Sequence, residues 1–96
     1  MALFTVTNNL GTASLLTAFN LSTSTGIACF SPDLSPYNVT WYHNGANAYP
    51  EIGDTVYEDA AGLTPGITTN NNERQMANLS YLLTDGSGIV QPIACK

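Results

Sequence analysis

Basic charge is almost missing from this chain. Arg74 and Lys96 stand alone against seven acidic residues, for a net charge of −5 over 96 residues. Gripping a phosphate backbone takes several Lys or Arg side chains acting together, so a nucleic-acid reader is excluded. Long apolar runs are missing too. No stretch approaches the roughly eighteen residues that a membrane-crossing helix needs, and no membrane partner is expected. The opening residues, Met1-Ala2-Leu3-Phe4-Thr5, lack the basic and apolar regions of a secretory leader. One His and two Cys leave little material for a metal site or a catalytic triad. No Gly-x-Ser-x-Gly elbow occurs, and no metal or other cofactor is expected. Lys, Glu, Gln and Arg, which clothe exposed helices, are scarce.

What is present is uncharged polarity. The chain carries 12 Thr, 10 Asn, 7 Ser and 8 Gly, with 44% hydrophobic and 9% charged residues. Thr favours strands, while Asn and Gly favour turns. The aromatic and β-branched content is too high for a disordered chain. A surface with so little charge is poorly defended against association, which suggests contact with other proteins.

Alternating segments separated by turn clusters recur along the chain. Strands are predicted at 2–7, 14–21, 27–30, 37–43, 54–58, 77–84 and 89–95. In 37–43 the alternation places Tyr37, Val39 and Trp41 on one face. Pro32 and Pro36 break regular pairing before it, and Asn44-Gly45 closes it with a tight-turn signal. The Thr68 to Glu73 stretch reads as an exposed loop tip. Residues 73–83 are the best helical alternative, set aside because Leu79, Tyr81 and Leu83 alternate with polar neighbours. The expectation is one all-β domain over 1–96: a small β-sandwich or barrel of six to eight short strands. Residues 1–21 would be first strands or an attachment arm, and 22–96 the sandwich body.

Two stretches carry a resemblance. WYHNGANAYPEIGDTVYEDAAGLTP at 41–65 and SYLLTDGSGIVQPIAC at 80–95 resemble a small β-rich domain of Bacteroidota (Flavobacterium-like) phage virion and surface proteins. The matching pieces are Gly53-Asp54-Thr55-Val56-Tyr57, Asp59-Ala60-Ala61-Gly62-Leu63-Thr64 and Gly88-Ile89-Val90, with Cys29 and Cys95. The usual Gly-Tyr-Tyr-type strand is replaced here by GITTNNNERQM at 66–76. The resemblance implies a non-enzymatic capsid decoration, head-fibre or tail-accessory protein. It would bind other virion proteins, form a homo-oligomer, and reside in a virion assembled in the host cytoplasm. Leu3, Phe4 and Val6, in the apolar segment outside the strongest resemblance, are the expected attachment residues.

Several residues remain as site candidates. Cys29 and Cys95 either form a disulfide, closing a loop of about 66 residues and contributing roughly 4 kcal/mol, or pack as reduced thiols. Trp41, Tyr42, Tyr49 and Tyr57 either offer a stacking platform for a host surface glycan, with Tyr81 and the 66–76 loop, or serve as core and interface rings. The glycan reading makes the chain an adhesion module. Glu51, Asp54, Glu58 and Asp59 form the one acidic cluster. They either cap turns, bind Ca²⁺, or act as a hydrolytic carboxylate pair, with turn capping preferred. His43 is expected to be an exposed turn residue. The sequons at Asn20, Asn38 and Asn78 are expected by chance in so Asn- and Thr-rich a chain.

Overall fold

The computed structural model describes residues 16–30 and 33–93. Among them there are five short strands and no helix: β1 (Thr17–Leu21), β2 (Val39–His43), β3 (Val56–Tyr57), β4 (Arg74–Gln75) and β5 (Tyr81–Leu82). Three form an antiparallel sheet in the order β1-β2-β3, and β4 pairs with β5 in a second. The all-β reading holds. The predicted strands at 2–7 and at the start of 14–21 fall outside the described residues, as does the end of 89–95.

The longest ladder comes from the clearest alternation. Phe19 and Leu21 of β1 are buried while Ala18 and Asn20 are exposed; Trp41 and His43 of β2 are buried while Thr40 is exposed. The register places Phe19 opposite Trp41 and Leu21 opposite Val39, so side chains of one kind meet across the pair. A slip of one residue would turn Trp41 to solvent.

Elsewhere the regular pairing is shorter than the sequence suggests, for local reasons. The apolar run 27–30 is a turn: Cys29 sits at φ 71°, and Phe30 N–H donates to the Ile27 carbonyl at 2.9 Å. The 54–58 strand narrows to Val56–Tyr57. In 77–84 only Tyr81–Leu82 is regular, because Leu79 at φ 74° turns the chain, its N–H bonding the Met76 carbonyl at 2.8 Å. Of 89–95, Ile89 and Val90 make isolated bridges only.

Those bridges connect the sheets. Leu21 pairs with Met76, Thr84 with Val90, and Thr55 with Ile89, all antiparallel. The core follows the same route. Phe19 and Leu21, Trp41, Val56, Met76, Leu82 and Val90 form one apolar cluster, with Val39 and Tyr49 packed against it. Each strand, or the residue just beyond it, therefore contributes to a single interior.

Threonine hydroxyls continue the pairing where backbone ladders stop. Thr68 N–H donates to Thr84 Oγ1 at 2.8 Å, and Thr84 N–H donates to Thr68 Oγ1 at 2.8 Å. Each hydroxyl passes its own proton on, Thr68 to the Leu82 carbonyl at 3.2 Å and Thr84 to the Gly66 carbonyl at 2.7 Å. Both residues are buried, so every member of this four-bond seam is partnered away from water.

Candidate functional site

His43 ends β2 on the face that carries Trp41, and its side chain is wholly buried. The expectation of an exposed turn residue is therefore corrected. Parity was the available signal: 39, 41 and 43 share a face, and the pull of the following Asn-Gly concealed it. The ring packs edge-on to Phe19, centroids 5.5 Å apart. Nδ1 accepts the Gly45 backbone N–H at 3.0 Å, and Nε2 lies 3.2 Å from the Ala48 carbonyl. A carbonyl only accepts, so Nε2 carries the proton and Nδ1 the lone pair. His43 is a neutral imidazole clamped inside the 43–54 loop.

Asp54 faces it, Oδ2 at 4.0 Å from Nδ1. The same oxygen accepts the Glu51 N–H at 2.8 Å, a turn cap. Gly45 fills the remaining space: a Cβ there would overlap the Asp54 carboxylate. Next to it, Asn44 mimics a strand residue. Its Oδ1 accepts the Thr55 N–H at 2.8 Å while its own N–H donates to the Thr55 carbonyl at 3.1 Å. His43 and a carboxylate do converge here, but His43 lines neither of two open grooves among the described residues.

Elsewhere in the acidic cluster Asp59 and Glu51 serve turns, while Glu58 is exposed. Asp59 Oδ1 accepts N–H groups from Leu63 at 2.9 Å and Thr64 at 3.1 Å. Glu51 Oε2 accepts from Asn47 Nδ2 at 2.8 Å. Turn capping is what Asp54 and Asp59 do. Among the described residues no three His, Cys, Asp or Glu side chains gather as metal ligands.

The aromatic candidates separate. Trp41 is 5% exposed and has no open face for a sugar; its ring lies under the Arg74 guanidinium, 4.9 Å from the centroid, and against Gly66. Tyr49 is half-buried against the core, 6.3 Å from Phe19. Tyr42 and Tyr57, both half-buried, are direct cross-strand partners. Only this pair is brought together. Cys29 is disulfide-bonded; Cys95, the partner expected from the sequence, lies outside the described residues, as do Leu3, Phe4 and Val6.

Glu73 was missed by sequence reasoning. It is 2% exposed; Oε1 accepts the Ala28 N–H at 2.9 Å and Oε2 the Asn71 N–H at 2.8 Å. It ties the 28–30 turn to the 69–72 tip. No spacing in the sequence marks it, because its partners lie 45 and 2 residues away.

Large apolar side chains also reach the surface of the described residues. Ile27, Phe30, Ile52, Leu63, Ile67, Leu79 and Ile89 are exposed, Leu63 at 80%. Two open grooves cross it. One, of about 510 Å³, has walls that include Ile27, Phe30, Leu83 and Ile93; the other, of about 630 Å³, includes Tyr49, Ile52, Tyr81 and Pro92. No described helix is long and apolar enough to cross a membrane. Set against protein-family models, curated proteins and solved structures, the chain finds no match.

Proposed function

We propose that this chain is a non-enzymatic structural component of a phage virion, working by protein–protein contact and self-association. The observation that carries the reading is the pairing of seven exposed large apolar side chains among the described residues with a chain only 9% charged. Scattered exposed apolar residues are ordinary, but here little charge surrounds them to oppose association. The sequence resemblance to phage virion domains supplies the setting: other virion proteins as partners and assembly in the host cytoplasm.

The fold proposed with it is a six-stranded antiparallel barrel. Support comes from the order of the pairings. β1 pairs with β2, β2 with β3, Thr55 with Ile89, Val90 with Thr84, β5 with β4, and Met76 with Leu21 of β1 again. An even number of antiparallel steps returns to the start with strand directions consistent. Closure of this kind leaves no long sheet edge for uncontrolled pairing, so association would run through side chains instead.

Light scattering at micromolar concentration tests the functional reading. The expected mass is a multiple of the 10.2 kDa chain, and Leu63→Ser combined with Ile52→Ser lowers it while the circular dichroism is kept. A monomer at every concentration, absent also from purified particles, would remove the proposal. The rival reading, host-glycan adhesion, is favoured by the Tyr42–Tyr57 pair alone. Glycan binding abolished by Tyr42→Ala at unchanged mass would put it first.

A further inference from the structure

We propose that Asn44 is a self-modification site, where the folded chain drives attack of the Gly45 backbone nitrogen on the Asn44 side-chain amide. The bond that forms joins Gly45 N to Asn44 Cγ. The bond that breaks joins Cγ to Nδ2, which leaves as ammonia. The proton from Gly45 N passes to the imidazole and leaves with the ammonia. The succinimide is then opened by water at either carbonyl, giving aspartate or isoaspartate. No oxidant or reductant enters.

Three groups that change charge along this path, the Gly45 nitrogen, the His43 ring and Asn44 Oδ1, already have partners. Gly45 N–H, which must lose its proton, points at the lone pair of His43 Nδ1 at 3.0 Å. That is the nucleophile-to-base contact general-base catalysis requires. The base is held by its other nitrogen, Nε2–H on the Ala48 carbonyl at 3.2 Å. Asp54 Oδ2, 4.0 Å from Nδ1, faces the ring as it becomes positive. Asn44 Oδ1, where negative charge develops, accepts the Thr55 N–H at 2.8 Å, in the manner of an oxyanion hole. Gly45 has no side chain to shield its nitrogen, and Asn44 is exposed, so water reaches the ring for hydrolysis.

Among the described residues the His43 ring makes no polar contact beyond these. The inference does not depend on the virion reading. Its product differs from Asn44 where it matters: isoaspartate adds a methylene to the backbone at the end of β2, where Asn44 and Thr55 are paired.

The test is peptide mapping of Asn, succinimide, aspartate and isoaspartate at position 44 over time, in buffer and in urea. Conversion in the folded protein should be at least about tenfold faster than in the unfolded chain. Exposed Asn47, which precedes Ala48, serves as the internal reference. His43→Gln, which can still accept from Gly45 N–H but is no base, should bring the folded rate down to the urea rate. Folded wild type converting no faster than unfolded wild type overturns the proposal, whether or not the variant folds. A folded His43→Gln protein that converts as fast as wild type overturns it equally.

Discussion

The β1–β2 ladder and the Thr68–Thr84 seam do the same job by different means. In the ladder, five residue pairs from Thr17–His43 to Leu21–Val39 are joined through backbone groups. Of their outward side chains, Asn20 adds one bond, its Nδ2 donating to the Tyr37 carbonyl at 3.0 Å. In the seam, two side chains complete the pairing, and each hydroxyl both accepts and donates. The five backbone pairs of the ladder themselves do not depend on what an exposed position such as Thr40 carries. The seam is specific to a hydroxyl on a β-branched frame at two sites, because removing one strands several buried groups at once.

Breaking the seam should therefore have the largest effect. Thr84→Val keeps the shape but removes both hydroxyl bonds, leaving the Thr68 N–H and the Gly66 carbonyl unpartnered. Urea denaturation should report a loss of about 4 kcal/mol, on the basis of about 2 per buried orphan. Gly66→Ala attacks the same place sterically. A Cβ there would sit 2.7 Å from Trp41 Cε3 and 2.8 Å from Val56 Cγ1, both core atoms. Overpacking of this kind should cost about 3 kcal/mol. Thr40→Val, on the exposed face of the ladder, should change stability by no more than about 0.5 kcal/mol. A Thr40 effect as large as that of Thr84 would erase the contrast.

The smallest effect lies beside the ladder, in a side-chain bridge. Tyr37 Oη donates to Gln75 Oε1 at 2.6 Å and lies 3.2 Å from Asp33 Oδ1. The Ser35 backbone N–H, then the Ser35 side chain and Tyr37, hold the Asp33 carboxyl below its ordinary range. A carboxyl lowered in the folded state stabilises above its unfolded value, and that contribution fades as pH falls through the folded one. Stability should thus slip slightly below about pH 4, and Asp33→Asn should flatten that part of the profile. Loss of solvent, then the Asp33 carboxylate, push the Tyr37 phenol up. Its contribution is intact below the unfolded value and is lost as pH rises through the folded one. Absorbance titration should show a tyrosine ionising above the ordinary phenol range, and Tyr37→Phe should remove it.

The same contrast marks what was legible in the sequence. The ladder could be read because its signal is local: parity within 37–43 put Val39 and Trp41 inward, and the Asn44-Gly45 turn ended the strand. The turn-capping role of Asp54 and Asp59 was legible too, from the glycines beside them. The seam could not be read. Thr68 and Thr84 are 16 residues apart and read as the start of a loop tip and the end of a strand until the fold joins them. Residues 27–30 misled for a related reason. Ile, Ala, Cys and Phe suit a strand, yet the Ala28 N–H goes to Glu73, 45 residues on, and Cys29 turns the chain. The His43 environment required both kinds of knowledge, parity for its burial and tertiary structure for Gly45, Ala48 and Asp54.

Val90 is one of the cluster that Phe19 begins, and Leu21 finds its partner only at Met76. A growing polypeptide released from the ribosome in order would hold an unsealed interior until Val90 had emerged. Closure of this core consequently waits for residue 90, and its speed is governed by distant encounters rather than by neighbours. Until that moment its apolar residues are open to any companion, of its own kind or another's.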